Sequence, residues 1–170
     1  MALRYVERFA TTRGKLRQYL ARKIRERGWA EGVANADPQA LAERLAELGY
    51  IDDAAFGEAR AMAMGRRGLG ARRVTQALRH AGLEEEQAAV LRPAIDARGP
   101  ESAVAFARRR RIGPFAAEAP DTAARAKAIS AMIRAGHGFD IARTIVAMAP
   151  GDPVDDLLES GNIAESEGFA

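Results

Sequence analysis

Cysteine is absent from the 170-residue chain, which rules out disulfides, thiolate metal sites and cysteine nucleophiles and fits a reducing compartment. Aromatic residues make up only 6%, and Ala supplies much of the apolar content. So little ring volume argues for thin helical packing rather than a thick sheet core, and the expected class is all-α. No stretch approaches the roughly 18 uninterrupted apolar residues that a membrane span needs. The arginine-studded N-terminus lacks the apolar centre of a secretory signal, so the expectation is a soluble protein that stays in the cytoplasm. Only two histidines occur, His80 and His137, far apart in sequence; each reads as a helix-end polar contact rather than a metal ligand. The Gly65, Gly68, Gly70 loop does not match the Walker pattern and follows no strand, so it reads as a joint between two helices. No nucleophile stands with a base and an orienting partner. No catalytic residue, metal or cofactor is expected, and the chain does not read as an enzyme.

What is present is charge, unevenly spread. The formal net charge is only +3, but residues 1 to 30 hold Arg4, Arg8, Arg13, Lys15, Arg17, Arg22, Lys23, Arg25 and Arg27 against Glu7 and Glu26, a local +7. Residues 150–170 hold Asp152, Asp155, Asp156, Glu159, Glu165 and Glu167 with no Lys or Arg, a local −6. The first segment seeks a polyanion; the second, rich in Gly, Ser and Pro, reads as an acidic, disordered tail. Two further clusters are basic: Arg66, Arg67, Arg72, Arg73 and Arg79 in "GRRGLGARRVTQALR", and the run Arg108, Arg109, Arg110, Arg111. Arginine's planar fork holds phosphate or carboxylate through two bonds, so these clusters suit a DNA backbone or an acidic protein face. For any one of them the plainer reading is a solvated helix face whose long side chains shield the core. Recurrence in three separate places favours a partner.

The chain also repeats itself. "IRERGW", "LRHAGL" and "MIRAGH" each end an amphipathic run at a glycine, and Gly28, Gly82 and Gly136 are spaced by 54 residues. Four and eight positions before each glycine stand apolar residues on one helix face: Leu20 and Ile24, Val74 and Leu78, Ala128 and Met132. Each glycine sits where a helix ends in the left-handed conformation, and Trp29 reads as packing against the turn before it. A 54-residue period holds about three short helices, giving about nine in all. Asp37 and Pro38 start one helix, with Leu41, Leu45 and Leu48 as its apolar stripe and Gly49 as its end. Phe56, Ala59 and Ala63 mark another stripe. Ala88, Leu91 and Ile95 mark a third, which Pro93 is expected to kink or end. Later helices are expected over Glu101 to Arg111, from Asp121 or Thr122, and from Asp140 with Ile141, Ile145 and Met148. The implied division is 1–49, 50–98 and 99–149 as helical repeats, then the tail 150–170.

The adjacent carboxylates of "GYIDDAAF" could serve catalysis or a metal, but no His or second acidic cluster lies nearby to complete such a site. Asp52 instead reads as a helix N-cap, with Ile51 and Phe56 at the two positions of a hydrophobic staple. Asp53 adds negative charge at the positive end of the helix dipole.

The segments "ERLAELGYIDDAAF" and "RRGLGARRVTQALRHAGL", at this spacing, resemble the RecX family of bacterial recombination regulators. "YVERFATTRGKLRQYLARKIRERGW" resembles the family's N-terminal repeat, and the likeness runs from about Arg4 to Met148. In the third repeat His137 stands where the family usually has an aromatic or aliphatic residue, and Ala142 where it usually has a larger aliphatic one. The resemblance implies three tandem three-helix repeats forming an elongated, curved molecule, with Gly49, Tyr50, Ile51, Asp52, Asp53, Phe56 and Gly82 as structural motif residues. It implies a monomeric regulator of the RecA recombinase that binds the RecA filament on single-stranded DNA, without a membrane. Such a regulator suppresses ATP hydrolysis, coprotease activity and strand exchange, and so modulates recombination and the SOS response. The candidate contacts for RecA or DNA are Arg13, Arg17, Arg22, Arg25, Arg66, Arg67, Arg72, Arg73, Arg79, Arg108, Arg109, Arg110 and Arg111. A general DNA-binding helical protein is the other function that these arginines suit.

Overall fold

In the computed structural model, residues 1–28 and 37–162 are described, the last three as backbone only. Trp29 and the acidic residues Glu165 and Glu167 lie outside them. The described residues form ten α-helices: α1 (Ala2–Arg8), α2 (Arg13–Arg27), α3 (Pro38–Glu47), α4 (Asp53–Arg66), α5 (Ala71–His80), α6 (Glu85–Ala97), α7 (Gly99–Arg110), α8 (Thr122–Arg134), α9 (Phe139–Ala147) and α10 (Asp155–Asn162). A short 3-10 turn, Gly113–Phe115, lies between α7 and α8. The class is all-α.

The chain divides into two compact units. Unit 1 comprises Met1–Ala59 and Ala77–Val90, and unit 2 comprises Arg60–Gln76 and Leu91–Ala170. Each of α4, α5 and α6 therefore has one end in each unit.

Unit 1 is built around Ala2, Leu16, Leu20, Ala42, Leu45 and Ile51. The α3 stripe differs from the expected one. Leu45 is buried with Ala42, while Leu41 and Leu48 face solvent. The fully buried Ala42, with no side chain beyond Cβ, stands on the face towards the α2 leucines, and that choice of face turns Leu41 and Leu48 outward. Asp37 caps α3 through the Gln39 and Ala40 amides, with Pro38 at the first turn, as the sequence indicates. Gly49 (φ +78°) ends the helix, and the Tyr50 N–H returns to the Leu45 carbonyl at 2.9 Å.

Unit 2 is built around Ala103, Val104, Ala107, Met132, Ala142, Ile145 and Val146, with Val154, Leu157 and Leu158 packed against that cluster. The tail is therefore helical over Asp155–Asn162, where disorder was expected. Val154, Leu157 and Leu158, at i, i+3 and i+4, are a helical stripe that the surrounding acids obscure. Three further expectations are corrected or narrowed. Pro93 does not end α6, which continues through it with the proline exposed and Leu91 and Ile95 buried beside it. Gly138 rather than Asp140 precedes α9, which puts Asp140 in its first turn. Ala59 is exposed, and Asp53 and Gly57 are the buried residues of α4.

Two backbone approaches organise these units. In unit 1 the first turn of α2 lies on Gly82 so closely that a Cβ on Gly14 would overlap the Gly82 carbonyl, and the Thr12 hydroxyl donates to the Ala81 carbonyl. In unit 2 the start of α5 lies on Gly136 in the same way: a Cβ on Gly70 would overlap the Gly136 carbonyl, and the Gly70 amide donates to Ala135 O at 2.9 Å. Backbone cannot yield as a side chain can. Gly14→Ala is expected to cost more than about 2 kcal/mol through that overlap. Gly65→Ala, with open space around the new methyl in α4, is expected to stabilise by about 0.5–1 kcal/mol. Urea unfolding of both variants checks the contrast, and equal effects would contradict it.

Candidate partner-binding surface

Asp52 and Asp53 separate into different roles. The Asp52 carboxylate accepts from the Ala55 amide at 2.9 Å and its carbonyl from Phe56 N–H at 3.0 Å, the geometry of an N-cap. Ile51 is buried, in keeping with the staple position. Asp53 does more than face the dipole. It is only 8% exposed and accepts three hydrogen bonds, each of 2.9 Å: from the Arg13 amide, the Arg13 Nε–H and the Gln87 Nε2–H. A buried carboxylate is tolerable only when its lone pairs are filled. These bonds give each carboxylate oxygen a donor and join the starts of α2, α4 and α6 within unit 1.

The candidate arginines accordingly fall into two groups. Arg13 belongs to the fold, and its side-chain hydrogen bond to Asp53 raises the guanidinium pKa further above its usual value. Arg79 forms a two-bond pair with Glu85, at 2.8 Å for each bond, on the surface of unit 1. Arg17 donates to Gln39 at 2.6 Å. Arg22 lies 3.6 Å from Glu26 and over the Tyr19 ring. In the N-terminal run Arg13, Arg22 and Lys23 thus face carboxylates within the chain, whereas Arg25 has no side-chain partner among the described residues.

Unit 2 differs. Arg66, Arg67 and Arg72 are exposed and make no side-chain hydrogen bond or ion pair among the described residues. Arg73 reaches only its neighbour Gln76, at 3.0 Å. Arg108 lies over the Phe115 ring at 5.1 Å and Arg110 over Phe106 at 5.8 Å, and neither makes a side-chain hydrogen bond or ion pair among the described residues. Arg109 approaches the Arg66 carbonyl at 3.5 Å. Two basic clusters thus meet in space through residues 43 apart in sequence.

What places them there is the joint between α4 and α5. Gly68 (φ +74°) leaves no room for a Cβ beside the Phe106 backbone. His137, 3% exposed, holds the Gly68 carbonyl through Nε2 at 3.1 Å and meets the Phe106 ring edge-on. Among the described residues no cluster of acids and histidines has metal-binding geometry, and no helix is long and apolar enough to cross a membrane.

No family model matches the chain. The regulatory protein RecX of Myxococcus xanthus (strain DK1622) is 31% identical over 157 residues, covering 88% of this chain and 83% of the relative. That of Agrobacterium fabrum (strain C58) is 32% identical over 164 residues, covering 94% and 86%. This chain belongs to the RecX family. It is a regulatory protein by that kinship, and the likeness spans both units.

Within this RecX-family chain, sequence reading missed the tie between Arg13, Asp53 and Gln87, because nothing in the spacing of three residues so far apart pairs them. Tyr50, placed among the structural residues, closes α3 through its N–H, while the residue is 48% exposed beside the exposed Leu48. The role of His137 was equally hidden. Burial lowers its pKa, and the bond to Gly68 only partly offsets that. A lowered folded-state pKa means that the unfolded chain binds the proton more readily, so stability is full above the ordinary histidine value of about 6.5 and is lost as pH falls through and below it. The melting temperature of the wild type is expected to fall more steeply from pH 7.5 to pH 5 than that of His137→Phe. Parallel curves would contradict the assignment.

Proposed function

We propose that this chain is a non-enzymatic negative regulator of the RecA recombinase. It binds the RecA filament on single-stranded DNA as a cytoplasmic monomer and needs no cofactor. In doing so it lowers ATP hydrolysis, coprotease activity and strand exchange, and thereby restrains recombination and the SOS response. The observation that carries the reading is likeness to two RecX regulatory proteins over 88% and 94% of the chain. The unanswered arginines of unit 2 support it, since a filament on DNA presents phosphates and an acidic face is the kind of surface such forks hold.

The reading keeps the division into three helical repeats over 1–49, 50–98 and 99–149. It is supported by the like contacts at Gly82 and Gly136, one period apart. In the described part of the tail, Asp155, Asp156 and Glu159 belong to a helix whose leucines pack against the unit 2 core.

Titration of the purified chain into a RecA ATPase reaction with excess single-stranded DNA tests the proposal. The expected result is inhibition at amounts far below those needed to cover the DNA. Full ATPase activity under a molar excess of the chain over RecA would overturn it. Inhibition that sets in only as the DNA becomes saturated would shift the reading to a protein that coats nucleic acid.

A further inference from the structure

Gly65 is a glycine without a task in the fold. It lies in the last turn of α4, it is not among the glycines with positive φ, and a Cβ built on it would meet nothing within 4 Å. The left-handed turn that ends the helix belongs to Gly68. Glycine loses more conformational freedom on folding than any other residue. A helical glycine that neither turns the chain nor admits a close approach therefore lowers stability with nothing gained inside the molecule. What it leaves is open space beside the helix.

That space is a groove of about 460 Å³ within unit 2. Met62, Gly65 and Arg66, at i, i+3 and i+4, line it from α4; Arg98, Glu101 and Ala105, at i, i+3 and i+7, line it from α7 and the residue before it. Met62, Gly65 and Ala105 supply apolar surface, and the other three supply charge. Arg66, Arg98 and Glu101 are exposed, and none is paired with an opposite charge among the described residues, although Arg98 and Glu101 stand only three apart in sequence. Arg98 is a cation at the positive end of α7, where the helix dipole disfavours it. We propose that this groove seats a short extended segment of a partner protein, with a carboxylate held by Arg66 and Arg98 and an aliphatic side chain laid over Gly65. From Arg98 to Ala105 the helix rises about 10 Å at roughly 1.5 Å per residue, a length that about three residues of extended chain cover. A guanidinium fork holds a carboxylate through two bonds. A nucleic-acid backbone suits the groove less well, because Glu101 repels phosphate and the apolar wall offers it nothing. The inference deepens the proposed function and rests on it only in taking the partner to be a protein; its test leaves the recombinase out, so that either can fail alone.

The measurement is amide NMR of the full chain titrated with the blocked tripeptide acetyl-Leu-Glu-Leu-amide, with its Gln counterpart and with trithymidylate, alongside thermal melting. The Glu peptide is expected to move the Gly65 and Ala105 amides in a saturable way, and the Gln peptide to bind about threefold more weakly, as loss of one exposed ion pair would give. Gly65→Leu fills the groove with a better helix former; it is expected to melt no lower than the wild type and to lose the saturable shift at Ala105. Arg98→Gln, at an exposed position, is expected to keep its melting temperature and to bind the two peptides alike, and it decides the question by itself if Gly65→Leu does not fold. Absence of a saturable shift at Gly65 and Ala105 would overturn the inference. So would equal affinity of the wild type for the Glu and Gln peptides, or binding that survives in a folded Gly65→Leu chain. If trithymidylate moves the same amides at lower concentration than the Glu peptide does, the occupant is nucleic acid and the assignment to a protein segment is wrong.

Discussion

At Gly14 and Gly82, and again at Gly70 and Gly136, two stretches of backbone pass with no room for a Cβ between them, and the interactions described for each unit follow from these approaches. In unit 1 the approach brings the first turn of α2 against the end of α5, where Thr12 can bond Ala81 and Arg13 stands within reach of Asp53. In unit 2 it brings the start of α5 against the end of α8, so that His137 reaches the Gly68 carbonyl. Leu16, Leu78, Met132 and Ile145 are fully buried and supply the larger driving force, at about 2 kcal/mol each. That force is non-directional. Which helix end meets which is decided by the glycines and by the polar bonds that only this geometry permits.

Those polar bonds explain why the chain can carry so many arginines without being uniformly sticky. Arg13 is consumed by Asp53 and Arg79 by Glu85. Of the guanidiniums that remain, those at the ends of α4 and α7 and at the start of α5 lie within unit 2, and Arg25 of α2 lies in unit 1. A local charge of +7 over residues 1 to 30 therefore overstates what the N-terminal segment offers a partner. The run from Arg108 to Arg111 understates its own patch, because Arg66 and Arg67 join it.

The all-α class, the terminating glycines, the caps at Asp37, Asp52 and Asp121, the buried pair Val74 with Leu78 and the inward positions of Met132 and Ile145 in their own helices were legible from spacing and local chemistry. The errors have particular causes. Helical periodicity marks an apolar face but not which of two faces wins when small and large residues alternate; Ala42 and Leu45 turned inward, and Leu41 and Leu48 did not. Proline breaks a helix by default, yet at Pro93 the ring faces solvent and burial on both sides holds the helix together. Charge density suggested a tail without structure, and three apolar residues with helical spacing were enough to dock it. The candidate surface was legible only as a list of arginines. Sorting them needed partners distant in sequence, and nothing within a short window pairs Arg13 with Asp53 or Arg66 with Arg109.

The central claim is that arginines bonded within the chain hold the fold, while unbonded ones meet the partner. Arg13→Gln and Arg72→Gln, compared for unfolding free energy and for affinity to RecA filaments on single-stranded DNA, test it most directly. The account predicts that Arg13→Gln loses about 2 kcal/mol or more of stability, since it leaves a buried carboxylate short of donors, and that it binds normally once folded. It predicts that Arg72→Gln keeps its stability and binds more weakly. A stable Arg13→Gln chain that fails to bind, or an Arg72→Gln chain that binds unchanged while losing stability, would contradict it.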